Sequence, residues 1–305
     1  MGILSQVEPR VGLFLTSEKM SNVQTAIVAP GSAPATSSAP AHPGIILPAL
    51  SLCQRELVRF LRQRHRIIGA LATPIVFWLL IGAGMGRSFH FEGLPGGGNY
   101  LQYFFPGTVL MILLFTAIFS TISIIEDRRE GFLQSVLVAP VPRMAIVLGK
   151  VLGGTVLAFV QGLIFLALAP LIGMPLTFPG FLAACAVMLI ISFALTGLGF
   201  IIAWRMTSTQ GFHAIMNLFL LPLWFLSGAM FPPQNAWGAL RWLMRINPLS
   251  YGLAGLWRAI YFRNPEAIAV LPGWPAILIV SVAFAAVMLL LASGVASVRS
   301  AADLQ

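Results

Sequence analysis

The fold class that this sequence predicts is an all-α integral membrane protein with six transmembrane helices, and three observations predict it. Apolar types make up 58% of the 305 residues and charged types only 9%, against about 25% charged residues in a soluble globular domain. The mean hydropathy is +0.90, as found when most of a chain sits in lipid. The ionisable residues also leave uncharged stretches of spanning length between them: twenty residues from Arg66 to Arg87, thirty-three from Glu92 to Glu126 and fifty-four from Lys150 to Arg205. A chain so poor in charge cannot clothe a water-facing surface, which argues against a soluble enzyme.

Taken in order, the elements divide as follows. Residues 1–45 form a tail whose Pro30–Gly44 stretch is a Pro/Ala/Ser tract unable to bury a core. It reads as disordered and cytoplasmic, and Met20 offers an alternative start. Residues 46–66 read as an amphipathic interfacial helix. Residues 67–302 hold the spans, at about 67–86, 103–125, 145–170, 181–203, 212–231 and 275–297. The break between the third and fourth is signalled by Pro170, Gly173, Pro175, Pro179 and Gly180. With the N-terminus inside, eleven Lys and Arg flank the spans on the inner side and five on the outer. That bias puts both termini in the cytoplasm of a multi-pass protein of the inner or plasma membrane. The external segment 232–274 carries Trp237, Trp242, Tyr251, Trp257, Tyr261 and Trp274. Such aromatics prefer the interface. The segment reads as a re-entrant hairpin of short helices, with an ordinary external loop as the alternative.

Two elements on the inner side are amphipathic. On a helical wheel Arg55, Arg59, Arg62 and Arg66 form one stripe, with Leu50, Cys53, Leu57, Phe60 and Leu61 opposite. A helix of this kind lies in the interface with its arginines towards lipid phosphates. The second runs from Glu126 to Arg143. Its acidic start suits a helix N-terminus. Phe132, Leu133, Val136 and Leu137 follow at helical spacing, and Pro140 and Pro142 end it. From the residue pattern, this short helix either packs on its own bundle or waits in the cytoplasm for a partner.

The absences are also informative. The net charge of +9 reflects arginines flanking spans, not a nucleic-acid surface, because no basic run alternates with aromatics on a polar scaffold. All nine acidic residues fall outside the predicted span interiors, which disfavours an ion-gradient-driven secondary transporter, the runner-up reading. His42, His65, His90 and His213 are scattered, so neither a metal site nor a catalytic group is indicated. Gly149-Lys150 lacks the upstream glycine of a phosphate-binding loop, since Met144 stands there; no cofactor is expected in this chain itself. Cys53 and Cys185 do not suggest a disulfide. Gly82/Gly86 and Gly149/Gly153 have the spacing that lets helices approach closely. Gln161 and Asn217 are the polar residues expected to bond between spans.

Three stretches carry a resemblance: Tyr103–Gly107 (YFFPG); Asp127–Lys150 (DRREGFLQSVLVAPVPRMAIVLGK); and Phe225–Pro232 (FLSGAMFP) followed by Asn247–Tyr251 and Arg258. In order and spacing they resemble the type-2 permease family of ABC transporters, membrane subunits of drug, lipid and polysaccharide exporters, with a daunorubicin-type multidrug permease the nearest flavour. Gln134 departs from the family, whose members often carry Glu there. The resemblance implies an exporter subunit that is not itself an enzyme. ATP and Mg would be held by a separate ABC ATPase subunit, and a second permease copy, identical or not, would complete the pathway. It implies a coupling segment at Arg128, Arg129, Glu130, Gly131, Phe132, Leu133, Val136, Leu137, Pro140 and Arg143. It also implies a pathway between the first, second and fifth spans, where Phe77, Trp78, Phe104, Phe105, Phe115, Phe119, Phe219, Trp224 and Phe225 stand, suited to a hydrophobic or amphipathic cargo.

Overall fold

The computed structural model describes residues 44–85, 99–233, 236–264 and 268–297, apart from the side chains of residues 64–67. The tail expected to be disordered lies almost wholly outside the described residues, as does the side chain of Arg66. Among the described residues every regular element is helical.

Helix α1 (Ile46–Arg62) and helix α2 (Arg64–Met85) are separated at Gln63, whose φ of −93° and ψ of 67° leave the helical region. The amphipathic helix therefore ends at Arg62, and Arg66 belongs to the first turn of α2 instead of the arginine stripe. Helix α3 (Tyr100–Ser120) starts where the Asn99 side chain accepts the Gln102 N–H, a standard N-cap. It runs with little interruption into α4 (Ile122–Arg129), so that Tyr100–Arg129 is one 30-residue rod. Gly131, at φ 74°, then turns the chain into α5 (Phe132–Val138). Left-handed backbone is cheap only for glycine. This corrects one expectation: Glu126 and Asp127 sit at the C-terminal end of α4, not at the start of the short helix, and the helix dipole opposes them there.

Helix α6 (Arg143–Leu166) follows the two prolines, with a 3₁₀ turn at Ala169–Ile172. Helix α7 (Phe178–Trp204) is capped by Thr177 and α8 (Thr209–Phe225) by Ser208. Then come α9 (Gly238–Ile246), α10 (Pro248–Ile260) and α11 (Trp274–Ser297). Among the described residues five rods are long and apolar enough to cross a membrane: Ile68–Met85, Tyr100–Arg129, Arg143–Ile172, Phe178–Trp204 and Trp274–Ser297. The fifth predicted span, 212–231, is shorter than expected. Helix α8 has 17 residues, the bottom of the spanning range of about 17–25. The chain leaves it at Leu226 and turns through Gly228 at φ 90°.

Helix α3 is the axis. Phe104, Phe105, Val109, Leu110 and Ile112 to Leu114 are fully buried, as expected of a helix apolar on every side. Helices α6 and α7 pack along it, α10 and α11 pack on α7, α1 lies on α6, and α2 and α8 lean on α3. Lipid tails are as apolar as leucine, so close packing and hydrogen bonds hold such a bundle. The indole N–H of Trp224 donates to the Gly107 carbonyl at 2.8 Å and that of Trp78 to Leu101 at 2.9 Å. Thr116 donates to Gln161 Oε1 at 2.5 Å, so Gln161 bonds between helices as expected; Asn217 is exposed on α8. The Gly149/Gly153 pair seats α1 within the same chain. A Cβ at Gly149 would stand 2.6 Å from the Leu52 Cβ and 2.9 Å from the Ala49 carbonyl oxygen.

Candidate functional site

Seating α1 on α6 buries a charged residue against a charged residue. Glu56 lies on the α1 stripe made by Ala49, Leu52, Cys53 and Phe60, all buried. It accepts from Lys150 Nζ of α6 at 2.6 Å. Lys150 also donates to Ser123 Oγ at 3.2 Å and to Asp127 Oδ2 of α4. Asp127, with no exposed surface, is held from its other side by two arginines of α1. Arg55 approaches both carboxylate oxygens, at 3.0 and 2.7 Å, and Arg59 Nη1 reaches Oδ1 at 2.7 Å. Arg59 Nη2 extends the network to Glu126 at 2.9 Å and Glu130 at 3.1 Å. At its centre three cations, Arg55, Arg59 and Lys150, surround the two buried carboxylates of Glu56 and Asp127, with Glu126 and Glu130 at the edge. Each carboxylate has several donors, without which burying it would cost several kcal/mol, on the order of the ionic penalty in a low-dielectric interior. The hydrogen bond to Asp127 holds the Arg55 guanidinium above its ordinary pKa. Burial, reinforced by the Glu56 charge, pushes the Cys53 thiol up.

This overturns the expectation that the arginine stripe faces lipid phosphates. Arg55 and Arg59 point inward to Asp127, and Arg62 alone of the described three is exposed. The apolar residues split as well: Cys53 and Phe60 are buried, while Leu50 and Leu61 are exposed at 55% and 65%.

The α5 segment is tied to this cluster. Phe132 lies under Arg55, whose Cζ is 3.6 Å from the ring centroid, a cation–π contact. Leu133 is buried, Gly131, Val136 and Leu137 are half-buried, and Gln134, Ser135, Val138 and Pro140 are exposed, Val138 at 88%. Of the two readings that the sequence left open for this stripe, packing on its own bundle is the one observed. The arginines of the segment hold helix ends. Arg128 donates to the Trp204 and Met206 carbonyls at 2.6 and 2.9 Å, Arg129 to Thr207 at 3.0 Å, and Arg143 to Ala296 and Ser297 at 2.7 and 3.0 Å. Cations at C-terminal carbonyls complement the helix dipole.

A cleft of about 690 Å³ opens between α2, α3 and α8, lined by Phe77, Met111, Phe115, Phe119, Glu126 and His213 among others. The rings of Phe119 and His213 meet with centroids 4.9 Å apart and planes tilted by 40°. Of the predicted pathway aromatics, Phe77, Phe115 and Phe119 line this cleft. Phe104, Phe105 and Trp224 are fully buried core residues and Trp78 is 4% exposed. Phe105 stacks on Phe165 at 4.8 Å and Phe104 sets its edge against Trp224. Phe225 is half-buried and Phe219 is 64% exposed on α8. Among the described residues no cluster of His, Cys, Asp and Glu is arranged to hold a metal ion.

The sequence reading missed the ionic cluster. A signal was there: Glu56 interrupts an apolar stripe spaced Leu52, Cys53, Phe60, and Lys150 sits within the apolar run after Met144. Opposite charges on two otherwise apolar faces call for one another.

With this arrangement in view, comparison with known proteins is direct. The sequence model of the ABC-2 type transporter family matches residues 49–262, which contain the cluster, α5, the cleft, α9 and α10. Over 203 residues the chain is 26% identical to a protein of Cyanophora paradoxa named as the transport permease ycf38, covering 66% of this chain and 69% of that one. It is 27% identical over 189 residues to nodulation protein J of Rhizobium meliloti (strain 1021), covering 61% and 71%. It is 27% identical over 184 residues to a protein of Escherichia coli (strain K12) named as the multidrug ABC transporter permease YbhR, covering 59% and 50%. By its match over most of its length, this chain belongs to the ABC-2 type transporter family.

Proposed function

We propose that this chain is the permease subunit of an ATP-driven exporter, with ATP and Mg bound by a separate ABC ATPase subunit that docks on the α5 segment. One observation carries the reading. Helix α5 turns one face out through Gln134, Ser135 and Val138, while its other face is fastened to the bundle. Leu133 is buried, Phe132 lies under Arg55, and Gly131 joins the segment to α4, where Asp127 binds α1 and α6 together. A displacement of α5 is thus passed to three helices at once instead of being absorbed in a loop. Such a push shifts an equilibrium only if the ATPase contacts differ between two states.

In this reading α5 and both termini are cytoplasmic, and the protein sits in the inner or plasma membrane. The cleft between α2, α3 and α8 becomes one wall of a pathway that a second copy, identical or not, completes. Its aromatic lining suits a hydrophobic or amphipathic cargo, whether drug, lipid or glycan. The names of the relatives, a multidrug permease among them, agree with export.

The test is association with an ATPase subunit from the same genome. Val138→Asp is expected to weaken co-purification about thirtyfold, the loss of one interface anchor, while the permease itself melts unchanged. Full association and full cargo-stimulated ATP hydrolysis by that variant would refute the docking role. Export that stops with an uncoupler while ATP persists would favour a secondary transporter instead.

A further inference from the structure

At the end of the bundle opposite the ionic cluster, where α3 begins, a second cavity of about 380 Å³ lies between α9, α10 and the segment leading into α11. That volume falls within the roughly 300–1,000 Å³ of small-ligand sites. Its inner wall is apolar and buried: Met244, Leu253, Ala254, Trp257 and Ile268. The Tyr103 hydroxyl, also in the wall, is already committed, donating to the Gly228 carbonyl at 3.0 Å. Arg258 ties the wall together by donating to the Leu271 and Pro272 carbonyls. The exposed residues of the lining, Arg241, Arg245, Val270 and Pro272, mark the mouth.

Two further observations say what enters. The mouth is cationic: Arg245 makes no hydrogen bond or ion pair recorded among the described residues, no described acidic side chain lines the cavity, and the sequence holds no Asp or Glu from Gly131 to Pro265. The mouth also borders a membrane-seeking helix. Helix α9 and the residue before it expose Trp237, Trp242, Leu243 and Ile246 at 81%, 63%, 45% and 57%, with both arginines on the same helix. Tryptophan and aliphatics beside arginine are the composition of a helix lying in a lipid interface. A cavity opening beside such a helix is supplied from the bilayer, and an arginine at its mouth binds the phosphate and favours a headgroup whose net charge is negative.

We infer that this cavity is a binding site for an anionic membrane phospholipid, with part of an acyl chain against Met244, Leu253 and Trp257 and the phosphate at Arg245. It is a site separate from the cleft proposed as the pathway, and it stands or falls without that proposal.

The experiment uses the full chain in nanodiscs containing a trace of phosphatidylglycerol with a diazirine on its acyl chain, mapped by peptide mass spectrometry. Cross-links are expected on the peptides holding Met244, Leu253 and Trp257, about tenfold above those from a phosphatidylcholine with the same chain, whose choline ammonium offsets the phosphate charge facing Arg245. Arg245→Gln is expected to abolish that preference. Ala254→Phe is expected to remove these cross-links and leave those on the exposed face of α11. Labelling confined to the outer faces of α2, α8 and α11, or equal labelling by the two lipids, overturns the inference. The exposed Arg245→Gln change, which leaves the core untouched, keeps the test decisive even if Ala254→Phe fails to fold.

Discussion

At the scale of the residue, Lys150 is the side chain on which most depends. It is 5% exposed and faces Glu56 and Asp127, themselves nearly or wholly buried. Removing Lys150 takes the shortest contact from each buried carboxylate and leaves them only the α1 arginines, at a cost of up to about 3–5 kcal/mol. Lys150→Met is therefore expected to lower the melting temperature of the detergent-solubilised protein by several degrees. Arg62→Gln, at an exposed position of the same helix, is expected to change it within error. Equal melting of the two variants would mean that the cluster contributes nothing to stability. The neighbouring arginines teach a related point. Arg128 and Arg143 look like free positive charge in the sequence, yet each spends its donors on backbone carbonyls at the ends of α7 and α11. Linear sequence does not reveal which distant carbonyl lacks a donor.

At the scale of the element, the seating of α1 decides how the charged end is built. It needs the two missing side chains at Gly149 and Gly153, where a Cβ would meet Leu52 and Glu56 at 2.6 and 2.9 Å. Gly149→Leu is expected to lift α1 and uncover Cys53, now 9% exposed with its thiol pKa raised by burial. In a Cys185→Ala background, maleimide labelling of Cys53 at neutral pH is expected to be slow in the parent and at least tenfold faster in the variant; one pKa unit alone changes the thiolate fraction about tenfold. Unchanged slow labelling would show that α1 tolerates the clash. The amphipathic pattern of α1 was legible in the sequence only in part, since Cys53 and Phe60 of the expected apolar stripe are buried while Leu50 and Leu61 are exposed. The partner of its arginines was not. A stripe of arginines fits lipid phosphate and buried carboxylate equally well until Asp127 is brought alongside.

At the scale of the whole molecule, the outer faces differ in chemistry. Along its middle, helix α11 exposes aliphatic residues, among them Leu278, Ile279, Val282, Leu290 and Leu291, with Ser297 exposed at its end. Helix α8 exposes Leu218 and Phe219 together with Asn217 and His213. An amide facing hydrocarbon is costly, so such a face belongs against protein or a water-filled path. Under the proposed arrangement of two copies, Phe219→Cys in a cysteine-free background is expected to form a disulfide-linked dimer on oxidation in membranes, and Leu290→Cys is not. The reverse outcome would move the interface to α11.

Composition and the spacing of charge alone determined that this chain is helical and lives in a membrane. With under a tenth of its residues charged, nothing else could solvate it, and backbone groups in lipid are satisfied within helices. Five of the six expected spans and the break before α7 were legible at the same level, because glycine and proline act on their own backbone; the start of the short helix, expected at Glu126, was not. Tertiary structure decided the rest. Only packing put Glu56, Asp127 and Lys150 in one place across more than ninety residues of chain, turned the apolar stripe of α5 inward, sent Phe104, Phe105 and Trp224 to the core while leaving Phe115 and Phe119 on a cleft, and opened a cavity beneath α9. The physical reason is that a helix pattern specifies which face is apolar, whereas which neighbour covers that face depends on where every other helix finds room.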